Sequence, residues 1–420
     1  MNRVVVTGIG VVSPVGSTLD AFWSALTEPR SGITPISIIP TERLNAKVAA
    51  QVLDFNAEAH FDPRRANLMD RFAQFAVVAA RAAVHDSGLP LDDALKLEAA
   101  TIVGTGVGGQ NTQDAQYFKL YAENAKKLHP LTIPRLMVNA AASHVSMDLG
   151  LKGPTYSVAT ACASGTHAIG QAFHMLRMGQ APVAIVGGTD ACITVGTIKG
   201  WEGLRVLASD TCRPFSMTRS GFVLGEGAAM FVLELLEHAQ ERRAAIYAEV
   251  LGGRILSDAR HVTSLDANSD VLTELIRYTL KDSALCPRDV TYVNAHGTGT
   301  KQNDLLESRG IRSAFGRSAS SVSVSANKAM LGHLVNASGS VELAITALAL
   351  RDGFAPPTLN LTHPDPECDI DCVPLIGRAQ PLEHALKLSI AFGGHLTAIA
   401  LRRWTGREAC AARILHRKAA

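Results

Sequence analysis

Residues 339–351, Gly-Ser-Val-Glu-Leu-Ala-Ile-Thr-Ala-Leu-Ala-Leu-Arg, place the tightest limit on what this chain can become. They read as a helix closed near Gly353, and it is apolar nearly all round. Such a helix has no face to give to water, so it must be covered on every side. The chain supplies the cover as short apolar strands, expected over 4–10, 100–104, 155–158, 182–187 and 229–235. A second series opens at Ala248 and continues over 290–294, 322–324, 388–392 and 396–402. Between the strands, helical patterns run over 18–26, 70–85, 114–127, 135–149, 162–178, 237–243, 270–280 and 304–315. Strands alternating with helices predict an α/β fold with apolar helices buried between sheets. Each series begins with a Val-rich strand and contains a strand-to-small-residue turn, so a duplicated unit is expected.

The chain has 420 residues, of which 47% are hydrophobic and 19% charged, enough for a large core. A net charge of +2 gives no sign of a nucleic-acid or membrane partner. The seven cysteines (162, 192, 212, 286, 368, 372 and 410) are odd in number and scattered, which suits a reducing, cytoplasmic setting. Cys368 and Cys372 lie four apart in an acidic loop, without a second pair to complete a metal site, and no metal is expected.

One cysteine stands apart. In Tyr-Ser-Val-Ala-Thr-Ala-Cys162-Ala-Ser-Gly, a short strand leads through small residues into a helix. Ile169, Phe173 and Leu176 recur at helical spacing and form its buried stripe. Cys162 is expected on the first helical turn, where free N–H groups favour a thiolate. Two histidines follow strand-end turns: His296 in Asn294-Ala-His-Gly-Thr-Gly-Thr300, and His333 in Lys328-Ala-Met-Leu-Gly-His333. Lys328, five residues before His333, can set its charge. With one histidine as base, Cys162 would be a hydrolase nucleophile. With both as hydrogen-bond donors, it would hold an acyl group while a carbanion forms beside it. Spacing does not choose between these.

The ordered set does. Thr160-Ala-Cys-Ala-Ser-Gly165, the two histidine motifs and Phe392-Gly-Gly394 together resemble the β-ketoacyl-[acyl carrier protein] synthases, the elongating condensing enzymes. Supporting stretches are Gly104-Thr-Gly-Val-Gly-Gly109, Arg213-Pro-Phe, Gly221-Phe-Val-Leu-Gly-Glu-Gly-Ala228 and Pro356-Pro-Thr-Leu-Asn360. The resemblance implies the thiolase fold, two related halves stacked as five α-β-α-β-α layers. The halves would be 1–245, carrying Cys162, and 246–404, carrying His296 and His333, with a tail from 405. It implies that Cys162 takes an acyl chain as a thioester, with the N–H groups of Cys162 and Phe392 as oxyanion hole. His296 and His333 would stabilise the enolate from malonyl decarboxylation, and Lys328 with Glu307 would organise charge around His333. Thr298 and Thr300 would bond the phosphopantetheine arm, which arrives on the carrier protein, so no cofactor of its own is implied. Phe392 would gate the acyl pocket and Val107 line it. The implied partners are an acidic acyl carrier protein and a second subunit, a homodimer or a heterodimer. Arg205, Lys126, Lys127, Arg64 and Arg65 are the docking candidates.

The family loop Gly-Phe-Gly-Gly-Thr-Asn is here Ala391-Phe-Gly-Gly-His395-Leu396, and Ser216 and Ser220 stand where acids are usual. Ala391 is expected to stiffen the hinge beside Phe392. Leu204-Arg-Val-Leu-Ala-Ser-Asp-Thr-Cys-Arg-Pro-Phe-Ser216, Ala391 and Pro364-Asp-Pro-Glu-Cys-Asp369 resemble the specialised nodulation-type and polyketide-type synthases. The alternative within the family is a non-catalytic or partner-dependent subunit, against which Cys162, His296 and His333 all argue. A thiolase would want a second cysteine near the C-terminal glycine loop. Nucleotide binding at Thr7-Gly-Ile-Gly10 or at 104–109 lacks the acidic or Gly-Lys-Ser/Thr residues it needs.

Overall fold

A computed structural model of the chain describes residues 1–406, so the tail and Cys410 lie almost wholly outside the described residues. Ten strands form one continuous sheet system: β1 (Val4–Val12), β2 (Ala100–Gly104), β3 (Thr155–Val158), β4 (Val183–Asp190), β5 (Gly227–Leu235), β6 (Ala248–Ser257), β7 (Tyr292–Asn294), β8 (Ser323–Ser325), β9 (His384–Ala391) and β10 (His395–Arg403). Outward from a seam, one side runs β1-β5-β4-β2-β3 and the other β6-β10-β9-β7-β8. Strand directions repeat as well: two antiparallel pairings, then two parallel ones, on each side. The seam is a short antiparallel pairing from Val4↔Val250 to Val6↔Ala248. A duplication invisible in the amino acids is therefore plain in the topology.

Side chains alternate across each strand and build the layers. On β4, Val183 and Ile185 face an outer core with helix α1 (Arg71–Ser87), while Ala184 and Val186 face the centre. Helices α2 (Ser164–Arg177) and α5 (Ser338–Asp352) fill that centre, and each packs against strands from both sides of the seam. On β9, Leu386, Leu388 and Ile390 face the second outer core, with α3 (Asp270–Asp282) and α4 (Lys301–Phe315). Every residue of α5 from Ser338 to Leu350 is buried, as its composition requires.

Local chemistry explains most boundaries. Asp70 caps α1 by accepting from the Phe72 N–H, and Gly88 ends it at φ 59°. The expected helix over 114–127 instead spans Gln110–Tyr121, because Asn124 turns to φ 53°. Strand β9 starts four residues before its expected position, since Lys387 disguises the alternation. A helix at Val195–Leu204 has no counterpart in the sequence reading: glycines at 196, 200 and 203 hide it, although Thr194 caps it.

The glycine motifs serve packing. A methyl on Gly8 or Gly10 would lie 2.2 or 2.0 Å from α1 carbonyls, so the first motif lets a helix sit close on β1. The motif at 221–228 buries Glu226 and pairs it with the half-buried Arg71. The Asn360 amide donates to Thr211 Oγ1 and to the carbonyls of Cys212 and Ala329, fastening the Arg213-Pro-Phe segment.

Candidate active site

Cys162 stands at an elbow. β3 ends at Val158, α2 starts at Ser164, and Ala161 between them is held at φ 48°, an uncommon conformation for a residue with a side chain. Cys162 thus precedes the helix by two residues instead of sitting on its first turn. The expected thiolate is opposed by burial. Burial pushes the Cys162 thiol up to about 12, and the nearby Lys328 charge only partly opposes it. Desolvation of the buried sulfur thus works against the thiolate that a helix start favours.

His296 follows β7 and His333 follows the short helix Lys328–Leu331, and the two buried rings meet edge to face at 5.4 Å. Cys162, His296, His333, Phe392, Thr298 and Thr300 line one cavity of about 470 Å³. The Thr298 and Thr300 hydroxyls are 2.9 Å apart on its wall. Both histidines lie well below the ordinary imidazole range, through burial first and the Lys328 charge second. They are neutral at physiological pH. Lys328 Nζ donates to His296 Nδ1 at 3.3 Å, which leaves the His296 proton on Nε2. His333 Nδ1 lies 2.8 Å from Ser338 Oγ.

The charge network differs from the expected one. Glu307 accepts from the N–H groups of His296 and Gly297 at 2.6 and 2.7 Å, so it shapes the His296 turn and does not touch His333. Burial raises its carboxyl to about 7. Lys328 touches His296 and pairs with Glu342 at 2.6 Å, while its charge acts on His333 as expected. Glu342 escaped the sequence reading, yet its signal was there: a lone acid in an all-apolar helix requires a buried partner. A second lysine, Lys387, lies 2.8 Å from the other oxygen of Glu342.

Phe392 sits at the turn between β9 and β10, against Trp201 at 5.9 Å. The positive φ angles there fall on Gly393 (81°) and Gly394 (75°), whereas Ala391 is extended at φ −140° and unstrained. His395 packs on His167 and Leu396 is buried in the second outer core. Val107 is 38% exposed and outside the cavity wall. Of the docking candidates, only Arg205 lines the cavity, at the exposed C-cap of Val195–Leu204. Lys126, Lys127 and Arg64 are exposed elsewhere, and Arg65 is paired with Asp148. Lys301, unremarked in the sequence, stands exposed on the same cavity wall as Arg205. Cys368 and Cys372 are buried in the second outer core, and the described residues hold no group of three or more metal-ligating side chains. No helix among the described residues is long and apolar enough to cross a membrane.

Residues 1–239 match the Beta-ketoacyl synthase N-terminal domain, and residues 247–362 match its C-terminal domain. A Synechocystis protein named 3-oxoacyl-[acyl-carrier-protein] synthase 2 is 40% identical over 409 residues, 96% of this chain and 98% of its own. A Staphylococcus aureus protein of the same name is 38% identical, over 96% and 99% of the two chains. The ishigamide ketosynthase/chain length factor superposes with a TM-score of 0.91 at 33% identity, covering 96% of this chain and all of that one. A type II PKS ketosynthase solved with its acyl-carrier protein and bound to the hexaketide gives 0.87 at 30% identity, covering 96% of this chain and 100% of that one. With the thiolase fold, an elbow cysteine facing two neutral histidines, and relatives matched along nearly their whole length, the chain belongs to the β-ketoacyl synthases.

Proposed function

We propose that this cavity joins an acyl chain held on Cys162 to a malonyl unit, both delivered by acyl carrier protein. The chain is a condensing enzyme of the acyltransferase class, and the product is 3-oxoacyl-acyl carrier protein plus CO2. The observation that carries the residue assignment is the set of one thiol and two neutral imidazoles around a single cavity.

In the first step the Cys162 sulfur forms a bond to the acyl carbonyl carbon. The pantetheine C–S bond breaks, and the thiol proton ends on the departing sulfur. The N–H groups of Cys162 and Phe392 hold the oxyanion between these events. Malonyl thioester then enters. Its C–C bond to the carboxylate breaks, CO2 leaves, and the electron pair moves onto the thioester oxygen. His296 Nε2–H donates to that oxygen, and His333 does the same when Ser338 donates to its Nδ1. The enolate carbon attacks the Cys162 thioester, a C–C bond forms, and the sulfur leaves and regains a proton. Neutral imidazoles suit this task because they stabilise the enolate without protonating its carbon.

Thr298 and Thr300 hold the pantetheine arm, so the cofactor is the carrier's. Arg205, joined by Lys301, receives the acidic carrier at the mouth. Phe392 gates the way to the acyl pocket, the chain pairs with a second subunit, and the two halves, 1–245 and 246–404, meet at the site. The setting is the cytoplasm.

Intact-protein mass spectrometry with a panel of saturated and polyenoyl carrier-bound chains tests this reading. An acyl adduct on Cys162 that disappears on adding malonyl carrier protein, as a product two carbons longer forms, is the expected result. The preferred chain separates bulk fatty-acid from specialised synthesis. A folded protein that never loads overturns the assignment and favours the partner-dependent subunit.

A further inference from the structure

The mechanism above leaves a fully buried cation beside the site without a task. Lys387 is fully buried on β9, on the inward face between Leu386 and Leu388. Its ammonium lies 2.8 Å from Glu342 Oε2, while Lys328 donates to Glu342 Oε1 at 2.6 Å. One carboxylate in the central helix is thus clasped by two lysines, one from each side of the His296 turn. Lys387 also donates to the carbonyls of Leu388 and Ala295, the latter adjoining His296. A second buried cation against a single carboxylate is costly to desolvate.

We propose that Lys387 is a positioning residue for decarboxylation: by sharing Glu342 it leaves Lys328 free to hold His296 in place. Without Lys387, Glu342 has one cation and draws the Lys328 ammonium wholly to itself. With Lys387 present, the Lys328 ammonium also reaches His296, through both Nδ1 and the carbonyl oxygen. Those two contacts fix the ring and its tautomer, and so aim Nε2–H at the developing enolate. The inference rests on the role given to His296 and His333 above.

The groups facing Lys387 are Glu342 from α5, Lys328 from its short helix, His296 from the turn after β7, Glu307 from α4 and His333. Burial lowers the Lys387 ammonium to about 8, with Glu342 pulling the other way. The charge is therefore present below about pH 8 and lost above it. Decarboxylation should carry an alkaline limb there, in a range where the Cys162 thiol does not titrate.

The test measures malonyl decarboxylation and Cys162 acylation separately, on full-length protein across about pH 6.5–9.5. Lys387→Met keeps the aliphatic stem and leaves Lys328 and Glu342 as a balanced pair. The expected result at pH 7 is a decarboxylation rate lowered about tenfold relative to acylation, the scale of one charge-assisted contact, with the limb near pH 8 gone. An unchanged ratio, or a limb that persists, overturns the proposal and leaves Lys387 a structural ion pair. Should Lys387→Met not fold, Lys387→Arg serves, because guanidinium stays charged throughout the range. It should keep the limb from appearing near pH 8, and a limb that stays put overturns the proposal. His333→Ala runs beside both. If it too spares decarboxylation, the assignment of the imidazoles has failed; if it alone is defective, only the Lys387 inference falls.

Discussion

Gly104→Ala tests how the elbow is held. Gly104 ends β2, and a methyl there would lie 2.3 Å from the Ser164 carbonyl carbon and oxygen and 2.5 Å from the Gly165 nitrogen. Ordinary contact begins near 3.4 Å, so the start of α2 must retreat by about 1 Å. It has little room, since Gly165 itself packs on Ser340 of α5. Overpacking of this kind costs about 1–3 kcal/mol, which for a chain of this length lowers Tm by only about 1–3 °C. Catalysis should suffer more. Cys162 is two residues from Ser164, and a displacement of about 1 Å at a reacting atom costs about 10²-fold. The assay is the rate of acyl loading on Cys162, followed by intact mass at about 20 °C below Tm. Loading slowed about 100-fold in a protein still folded is the expected outcome. Wild-type loading with an unchanged Tm would show that β2 and α2 are not rigidly apposed, and the account of the elbow would be wrong.

His333→Ala should slow malonyl decarboxylation about 10²–10³-fold while Cys162 still acylates, as measured by release of labelled CO2 against intact mass. Equal loss in both steps would remove His333 from the enolate. The same histidine sets a stability term: it stays neutral when folded, but the unfolded imidazole takes a proton below about pH 6.5. Protons therefore favour the unfolded chain, and His333→Gln should lose about 1 kcal/mol less stability than wild type between pH 6.5 and 5.5, read from urea midpoints. Equal losses would mean the imidazole is charged in the fold. Arg205→Ala should raise KM for acyl carrier protein about fivefold at low salt with kcat unchanged, whereas Lys126→Ala should not; a reversed order would move the docking face away from the cavity mouth.

The strand–helix alternation and the burial of α5 were legible because apolar runs declare themselves. Cys162, His296 and His333 were legible because small residues crowd each of them, and the structure brings all three to one cavity. What stayed hidden was long-range and electrostatic. Glu342 and Lys387 lie 45 positions apart and only meet when a strand is laid across a helix. The pull of a helix end on Cys162 was overestimated because the depth of burial is not written in a local window. Trp201 and Arg205 ride on Val195–Leu204, whose three glycines argue against a helix until Thr194 caps it. Arg65 looked available in the sequence, but Asp148, which it shares with Arg81 and which ties it down, arrives from far along the chain.

The seam between the two five-stranded halves has a consequence for synthesis on the ribosome. Helix α2 and the inner face of the first half are complete once β5 has emerged, but their cover comes from α5, β9 and β10. Some 158 residues separate position 245 from the end of β10 at Arg403, and at 5–20 residues per second that is a wait of roughly 10–30 s. Throughout it, a sheet face and helix built for a dry interior stand in water. Codon changes that slow translation between the halves should therefore lower soluble yield, and added chaperones restore it, without altering a single contact of the finished protein.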